Sequence, residues 1–140
     1  MAFKNLDAFQ KRLKKRLTVN PDKNAMKAVQ RSTMLVRETV VTGIATGART
    51  GRIRPNGQDR SSAAGEYPKT DQGILVGNIT TNVKRSGTNV IGQIVSSAPY
   101  SAALEFGTTK MKPRPFMHPS LRKNVEKIEK IFIQEGVITK

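Results

Sequence analysis

Cysteine and tryptophan are both missing from this 140-residue chain, and it contains a single histidine. Without cysteine, the chain has no disulfide framework and no thiolate metal site. A zinc site or a nucleophilic triad needs clustered His, Cys or carboxylate side chains, and the 10 acids are too scattered along the chain to suggest one. We therefore expect no metal and no cofactor, and we interpret the protein as a non-enzyme.

His118 and Glu105 are the two side chains closest to catalytic candidates. His118 lies between Met117 and Pro119, where a packed or surface role is favoured over that of a general base. Glu105 lies within ALEFGT, residues 103–108, and no second carboxylate stands near it in sequence to complete a glycosidase-like pair. Neither residue indicates catalysis.

Long apolar runs are lacking as well. No run approaches the roughly 20 residues that span a bilayer, and residues 1–17 mix charges among their apolar positions instead of forming a cleavable apolar block. We expect a soluble, untargeted protein without membrane contacts. A hydrophobic fraction of 36%, with 5 Phe and 2 Tyr, predicts a single domain over residues 1–140 with a small or partly shared core.

Positive charge dominates what is present. The formal net charge is +15; residues 1–60 hold 14 Lys or Arg against 4 Asp or Glu, and residues 61–140 hold 11 against 6. Such a field attracts polyanions, nucleic acid above all, without reading a base sequence. The same excess keeps a small protein soluble, and composition alone does not separate these two interpretations.

Two helices are predicted within residues 1–45. Over residues 1–17, apolar residues recur at spacings of three and four with basic residues around the rest, which indicates an amphipathic helix. Its apolar face, called the N-terminal stripe below, consists of Phe3, Leu6, Phe9, Leu13 and Leu17. Packing on the core explains this stripe best, and a membrane-surface role is the minor alternative.

The second helix is predicted to open at Asn20 and Pro21, as an N-cap followed by proline at the first helical position. Its apolar positions again share one face: Met26, Val29, Thr33, Val36, Val40 and Ile44. Because clustered Val and Thr lower helix propensity, packing of this face must hold the helix.

Residues 46–77 are predicted to form a long flexible loop. Of the 11 glycines, 7 lie between Gly43 and Gly77. A connection of this length is functional, disordered alone, or ordered by a partner. Its arginines suit phosphate or carboxylate contacts, although an ordinary solvated loop explains them equally well. They are Arg49, Arg52, Arg54 and Arg60.

A β-hairpin is predicted over residues 78–96. Two β-branched or alternating segments, residues 78–83 and 89–96, flank KRSGT, whose glycine suits a turn. Two strands alone are marginal in water, so helices should cover one face, and a third strand could come from residues 109–112 or from a neighbouring subunit.

A connector over residues 97–120 leads to a C-terminal helix over 120–135, with Pro119 in its first turn. The apolar residues of this helix share a face: Leu121, Val125, Ile128, Ile131 and Phe132. The complete pattern predicts an α+β fold of two N-terminal helices, a long Gly- and Arg-rich loop, a small antiparallel sheet and a C-terminal helix.

Several short motifs between residues 60 and 121 resemble one known family. They are Gly65 to Pro68; Gly73, Ile74 and Leu75; Pro99, Tyr100 and Ser101; Glu105, Phe106, Gly107 and Thr108; and Arg114, Pro115, Phe116 and Pro119. Together they are similar to the small neck proteins of long-tailed bacteriophages, described as head-tail connector, tail-completion or minor tail proteins. Gln72 and Ser101 depart from the Thr and Ala that are usual there.

The resemblance implies a structural virion protein that forms a ring of six copies between the head portal and the tail, around the DNA exit channel. Its neighbours would be a portal-side connector protein and a tail terminator or tail-tube protein, with viral DNA passing through without base-specific contacts. The protein would assemble in the host cytoplasm and remain in the virion neck. Two alternatives are a tail terminator or other tail-tube ring protein, and a free-standing basic nucleic-acid-binding protein.

Two groups of site residues follow from this interpretation. Proline, glycine and aromatic residues of the connector are interface or anchor candidates, either between subunits or as a mini-core within one subunit. They are Tyr100, Glu105, Phe106, Gly107, Arg114, Pro115 and Phe116, with Glu105 and Arg114 a possible ion pair. The DNA-channel candidates are Lys11, Arg12, Lys14, Lys15, Arg16, Arg49, Arg52, Arg54 and Arg60.

Overall fold

A computed structural model describes residues 21–55, 57, 59–69 and 73–139. These residues form helix α1 (Pro21–Thr46), helix α2 (Ile74–Gly77), strands β1 (Ile79–Ser86) and β2 (Asn89–Ser96), helix α3 (Ser101–Phe106) and helix α4 (Met117–Gln134). The α+β class is confirmed by this mixture of helices and a small antiparallel sheet. The predicted first helix, over residues 1–17, lies outside the described residues.

Helix α1 is the central element of the fold, and its predicted core face is largely confirmed. Val36, Val40 and Ile44 are buried. They pack with Leu75 of α2, Ile79 of β1, Ala98 and Phe116 in one hydrophobic core. Met26, at the start of the predicted face, is exposed. The apolar face of α1 therefore packs against α2, the hairpin and the chain just before α4.

Strands β1 and β2 form the predicted antiparallel hairpin, and the turn is tighter than expected. The pairing runs from Ile79 opposite Ser96 to Ser86 opposite Asn89, so only Gly87 and Thr88 connect the strands. Gly87 has a φ of 59°, as two-residue hairpin turns require. The face of the hairpin that points away from α1 is exposed to solvent and includes Ile91 and Val95.

The hairpin approaches α1 closely at Gly92. A Cβ atom placed on Gly92 would lie 2.2 Å from the Thr33 hydroxyl and 2.8 Å from a methyl carbon of Val29. Of the two sources suggested for a third strand, residues 109–112 do not supply one: this segment turns back on itself through a backbone hydrogen bond from the Thr108 N–H to the Met111 carbonyl. Within the described residues the sheet has two strands.

Helix α4 packs antiparallel to α1. Asn124 donates to the Thr39 hydroxyl near the start of α4, while Glu135, just beyond its end, pairs with Arg31 and Lys27. Ser120 and Asn124 are the buried residues of α4, whereas Leu121 and Val125 of its predicted apolar face are exposed. The predicted apolar face of α4 is therefore confirmed only in part, since Ile128 packs against the core while Leu121 and Val125 do not. None of the described helices is long and apolar enough to cross a membrane.

Two connecting segments contain more structure than the sequence predicted. The predicted loop, residues 46–77, includes an antiparallel bridge between Ile53 and Arg60 and the helical turn α2. The predicted connector, residues 97–120, includes α3, and α4 begins at Met117 rather than near residue 120. Short helices of four and six residues carry too few turns for periodicity to reveal them.

Candidate interface at the α3–α4 elbow

A tight elbow joins α3 to α4. Gly107 ends α3 with φ 77° and ψ 177°, a conformation that is essentially restricted to glycine. A Cβ atom at this position would lie 2.9 Å from both the Met111 carbonyl oxygen and the ring of Pro113. The chain can therefore make this reversal only because residue 107 has no side chain.

Glu105 holds the beginning of α4. One carboxylate oxygen accepts hydrogen bonds from the backbone N–H groups of Phe116 at 2.8 Å and Met117 at 3.0 Å, and the other accepts from His118 at 3.0 Å. Pro119 carries no N–H, so the carboxylate satisfies the donors that the first turn would otherwise leave without a partner. Its negative charge also lies at the positive end of the helix dipole.

Arg114 contacts a different part of the chain from the one predicted. Its Nε donates to the Ser62 carbonyl at 3.1 Å, and its backbone N–H donates to the Leu104 carbonyl at 2.7 Å. The Glu105 carboxylate is occupied by backbone donors, so the two side chains do not form an ion pair within the subunit. A pairing across subunits stays a prediction.

The aromatic residues of the elbow divide into a core residue and two exposed residues. Phe116 is 1% exposed and belongs to the hydrophobic core, so it acts within the subunit. Phe106 is 81% exposed and Tyr100 is 43% exposed, at the two ends of α3. Pro115 is partly buried. Only Phe106 and Tyr100 therefore present large aromatic surfaces that a neighbouring subunit could cover.

An apolar groove opens beside the elbow, with a volume of about 820 Å³. It lies between α1, β2, α3 and α4, and Val36, Ile94 and Ile128 are among its lining residues. Phe106 borders it, as do Ser96 and Ser101, whose hydroxyls are hydrogen-bonded at 2.5 Å. The buried serine at position 101 thus has a hydrogen-bond partner for its hydroxyl group in the partly buried Ser96.

No family model, curated protein or solved structure matches this chain. The site is therefore interpreted from its own geometry and from the motifs between residues 60 and 121.

The arginine candidates lie on an ordered segment within the described residues, which is called the arginine segment below and runs from residue 49 to residue 60, apart from residues 56 and 58. Backbone hydrogen bonds link Gly51 to Ser61 and Arg54 to Asp59, on either side of the Ile53–Arg60 bridge. The side chains at 49, 52 and 60 are exposed, and that of Arg54 is partly buried. The other DNA-channel candidates, Lys11, Arg12, Lys14, Lys15 and Arg16, lie outside the described residues.

A polar network around Tyr67 anchors the chain that follows the arginine segment to the helices. The Tyr67 hydroxyl and Ser120 Oγ are hydrogen-bonded at 2.8 Å, and the Tyr67 ring lies under the Lys123 ammonium group at 4.9 Å. Gly43 makes room for this ring, because a Cβ atom there would lie 2.3 Å from it. Pro68, next in the chain, is fully buried.

Sequence reasoning missed this network, because Ser120 and Tyr67 gave no signal as core residues, nor did Asn124, which donates to the Ser120 carbonyl at 2.8 Å. The cue available in sequence was the absence of bulky residues at Gly43 and Gly47, both of which face Tyr67. Among the described residues, no group of three His, Cys, Asp or Glu side chains could hold a metal ion.

Glu66 provides a test of whether the arginine segment is held as described. Hydrogen bonds from the Thr50 hydroxyl and the Ala63 N–H lower the pKa of the Glu66 carboxyl below that of an ordinary glutamate. A carboxyl group whose pKa is lower in the folded than in the unfolded protein stabilises the folded state at any pH above its pKa in the unfolded chain. This stabilisation is lost as the pH falls through its pKa in the folded protein. The Ala63 and Thr50 amide signals in NMR spectra should therefore titrate with a midpoint below the ordinary pKa of a glutamate.

The matched variant Glu66→Gln should remove this titration and leave both amide signals independent of pH between 3 and 6. A midpoint at or above the ordinary pKa of a glutamate in the unmodified chain would show that the segment is not held by Glu66 in solution.

Proposed function

We propose that this protein is a structural component of a tailed-bacteriophage virion that joins the head to the tail, as a ring of six copies around the DNA channel. The observation that carries the proposal is the elbow. Its motif residues build a rigid corner in which Glu105, Gly107 and Arg114 all make contacts within the subunit. The same corner leaves Phe106 and Tyr100 exposed at its surface.

A ring needs this combination of rigidity and exposed anchors. Each subunit of a closed ring meets the next through two different surfaces, and closure requires a fixed angle between them. A helix end tied down by three hydrogen bonds supplies a fixed angle, and exposed aromatic rings supply the contacts that dominate interface energies. The neighbours of the ring would be a portal-side connector protein and a tail terminator or tail-tube protein.

The basic charge fits a position on the DNA path. We infer that Arg49, Arg52 and Arg60, with Arg54, face the channel, since their segment is basic and mostly exposed. Contacts of this kind bind phosphates without distinguishing base sequences. An assembled ring with these residues on its outer wall and an acidic lumen would contradict this part of the proposal.

The decisive experiment replaces Phe106 with alanine in the virus. Because Phe106 is 81% exposed, the purified variant should unfold within about 0.5 kcal/mol of the parent. If Phe106 anchors a neighbouring copy, its loss should cost about 2 kcal/mol at each interface, and repetition around the ring should lower the yield of infectious particles at least roughly tenfold. Electron microscopy of lysates should then show filled heads separated from tails.

Met34→Ala is the matched control, because Met34 is an exposed apolar residue on α1, away from the elbow. It should leave both stability and particle yield unchanged. A normal yield with Phe106→Ala would refute the role of Phe106, and joined particles in a virus that lacks the protein would refute head-tail joining. Tails of uncontrolled length in that virus would instead identify a tail terminator.

A further inference from the structure

Part of the apolar stripe of α4 has no covering element among the described residues. Leu121 is 49% exposed and Val125 is 55% exposed. Leu121, Ile128 and Phe132 line the apolar groove, and their spacings place them on one side of the helix. Ile128 also packs against the core, whereas Leu121 and Val125 beside it are left exposed. A helix whose apolar stripe is only partly covered by its own domain is typical of a helix with a second packing partner.

The floor of the groove adds a polar requirement. Ser32 of α1 lines the groove and is only 7% exposed. Its hydroxyl has no hydrogen-bond partner within the part of the chain that the structure describes. Buried hydroxyls are nearly always paired, because an unsatisfied one costs free energy. The groove therefore suits an apolar occupant that carries one polar side chain.

Residues 1–17 combine a large apolar face with one polar side chain, as the groove requires. The N-terminal stripe supplies five large apolar side chains, and helical spacing places Gln10 among them as a polar member of the same face. A helix from Phe3 to Leu17 would be about 21 Å long, close to the roughly 22 Å between Met117 and Phe132 along α4. The segment thus matches the groove in chemistry and in length.

The connection to α1 also suits this placement. Helix α1 begins at Pro21, so three residues, 18–20, separate it from Leu17. Antiparallel helices are commonly joined by loops of two to eight residues. A segment that turns back along α1 would pass over Val29 and Val36, both of which line the groove. Glu129, exposed one turn beyond Val125, would then meet a strongly basic segment.

We propose that the N-terminal stripe occupies the part of the apolar groove between α1 and α4 of its own subunit, as a helix antiparallel to α1 that completes the core and leaves Phe106 exposed at the rim. Gln10 satisfies the Ser32 hydroxyl, and the basic residues of the segment remain on the outer surface. This inference does not depend on the virion role, because it concerns the folding of one chain.

The absence of cysteine allows a direct test by thiol reactivity in the full-length protein. Leu121→Cys places a thiol in the groove, and Lys130→Cys places one on the opposite side of α4 as the reference. Relative to the rate in denaturant, iodoacetamide should modify Cys at 121 at least tenfold more slowly than Cys at 130. Adding Leu6→Asp and Leu13→Asp should remove this protection, since carboxylates would be buried with the stripe.

The matched control adds Asn5→Asp and Ala8→Asp, which introduce the same two carboxylates on the other side of the segment and should preserve the protection. Sedimentation should give a monomer mass under the conditions of the experiment. Equal reactivity at the two positions in the unmodified segment would overturn the proposal. The proposal would also be overturned if the protein sedimented with a larger mass and the protection disappeared on dilution, because a second copy would then be the occupant of the groove.

Discussion

Replacing Phe116 by alanine is expected to lower the free energy of unfolding by about 3–5 kcal/mol, the usual cost of removing a large buried aromatic side chain. Phe116 is 1% exposed and packs with Val40, Ile44 and Leu75 in the core. It immediately precedes α4, so its ring holds the start of that helix against α1. Denaturant unfolding followed by circular dichroism would measure the loss as a lower midpoint at an unchanged slope.

The matched control is Phe106→Ala, which removes the same side chain ten residues earlier in the same elbow. Its expected effect is below about 0.5 kcal/mol, because Phe106 is 81% exposed. From the sequence alone, an aromatic residue of the elbow could be either a core residue or an interface anchor. The contrast between the two variants distinguishes these roles. If both variants lost the same stability, Phe106 would be part of the folded core rather than a free anchor.

The elements that sequence predicted well are those whose signal lies within the element. In α1, Thr33, Val36, Val40 and Ile44 recur at spacings of three and four, and all four are buried. The hairpin followed from β-branched segments around a glycine, and it differs mainly in the length of β1. Periodicity and turn chemistry are local, so they can be read without knowing the rest of the fold.

The features that sequence missed depend on contacts between distant parts of the chain. Ser120 and Asn124 are among the least exposed residues of the protein, although their polarity predicts a surface position. They are tolerated because Tyr67 and Thr39, far away in sequence, complete their hydrogen bonds. No pattern within α4 reveals those partners, so Ser120 and Asn124 were not predicted as core residues, although Ile128 of the predicted apolar face does pack against the core.

The elbow was found from sequence, but its mechanism was not. Gly107 and the aromatic residues marked a stiff connector, and Glu105 was interpreted as an ion-pair partner of Arg114. Residue 116, at the N-cap position of α4, is a phenylalanine and makes no side-chain capping bond. The capping group comes from Glu105, eleven residues earlier, which lies outside the local capping patterns that sequence analysis recognises.

Glu105→Ala is accordingly expected to lower the free energy of unfolding by about 2 kcal/mol, since N-caps contribute up to about 2 kcal/mol and charged hydrogen bonds somewhat more. Glu105→Gln should cost about half as much, because its amide oxygen can still accept hydrogen bonds while the charge facing the helix dipole is lost. Glu105→Asp should fall near the alanine variant, because its side chain is one methylene too short. Denaturant unfolding midpoints would rank the three variants.

Glu126→Gln supplies the matched control for this series, because Glu126 is an exposed acid within α4 itself. Removing its charge should change stability by less than about 0.5 kcal/mol. Amide exchange then locates the effect: in Glu105→Ala, the Phe116, Met117 and His118 amides should lose protection, whereas those in the middle of α4 should change only with global stability. Unchanged protection at these three amides would show that Glu105 does not hold the helix start, and the rigid corner proposed for ring assembly would lose its physical basis.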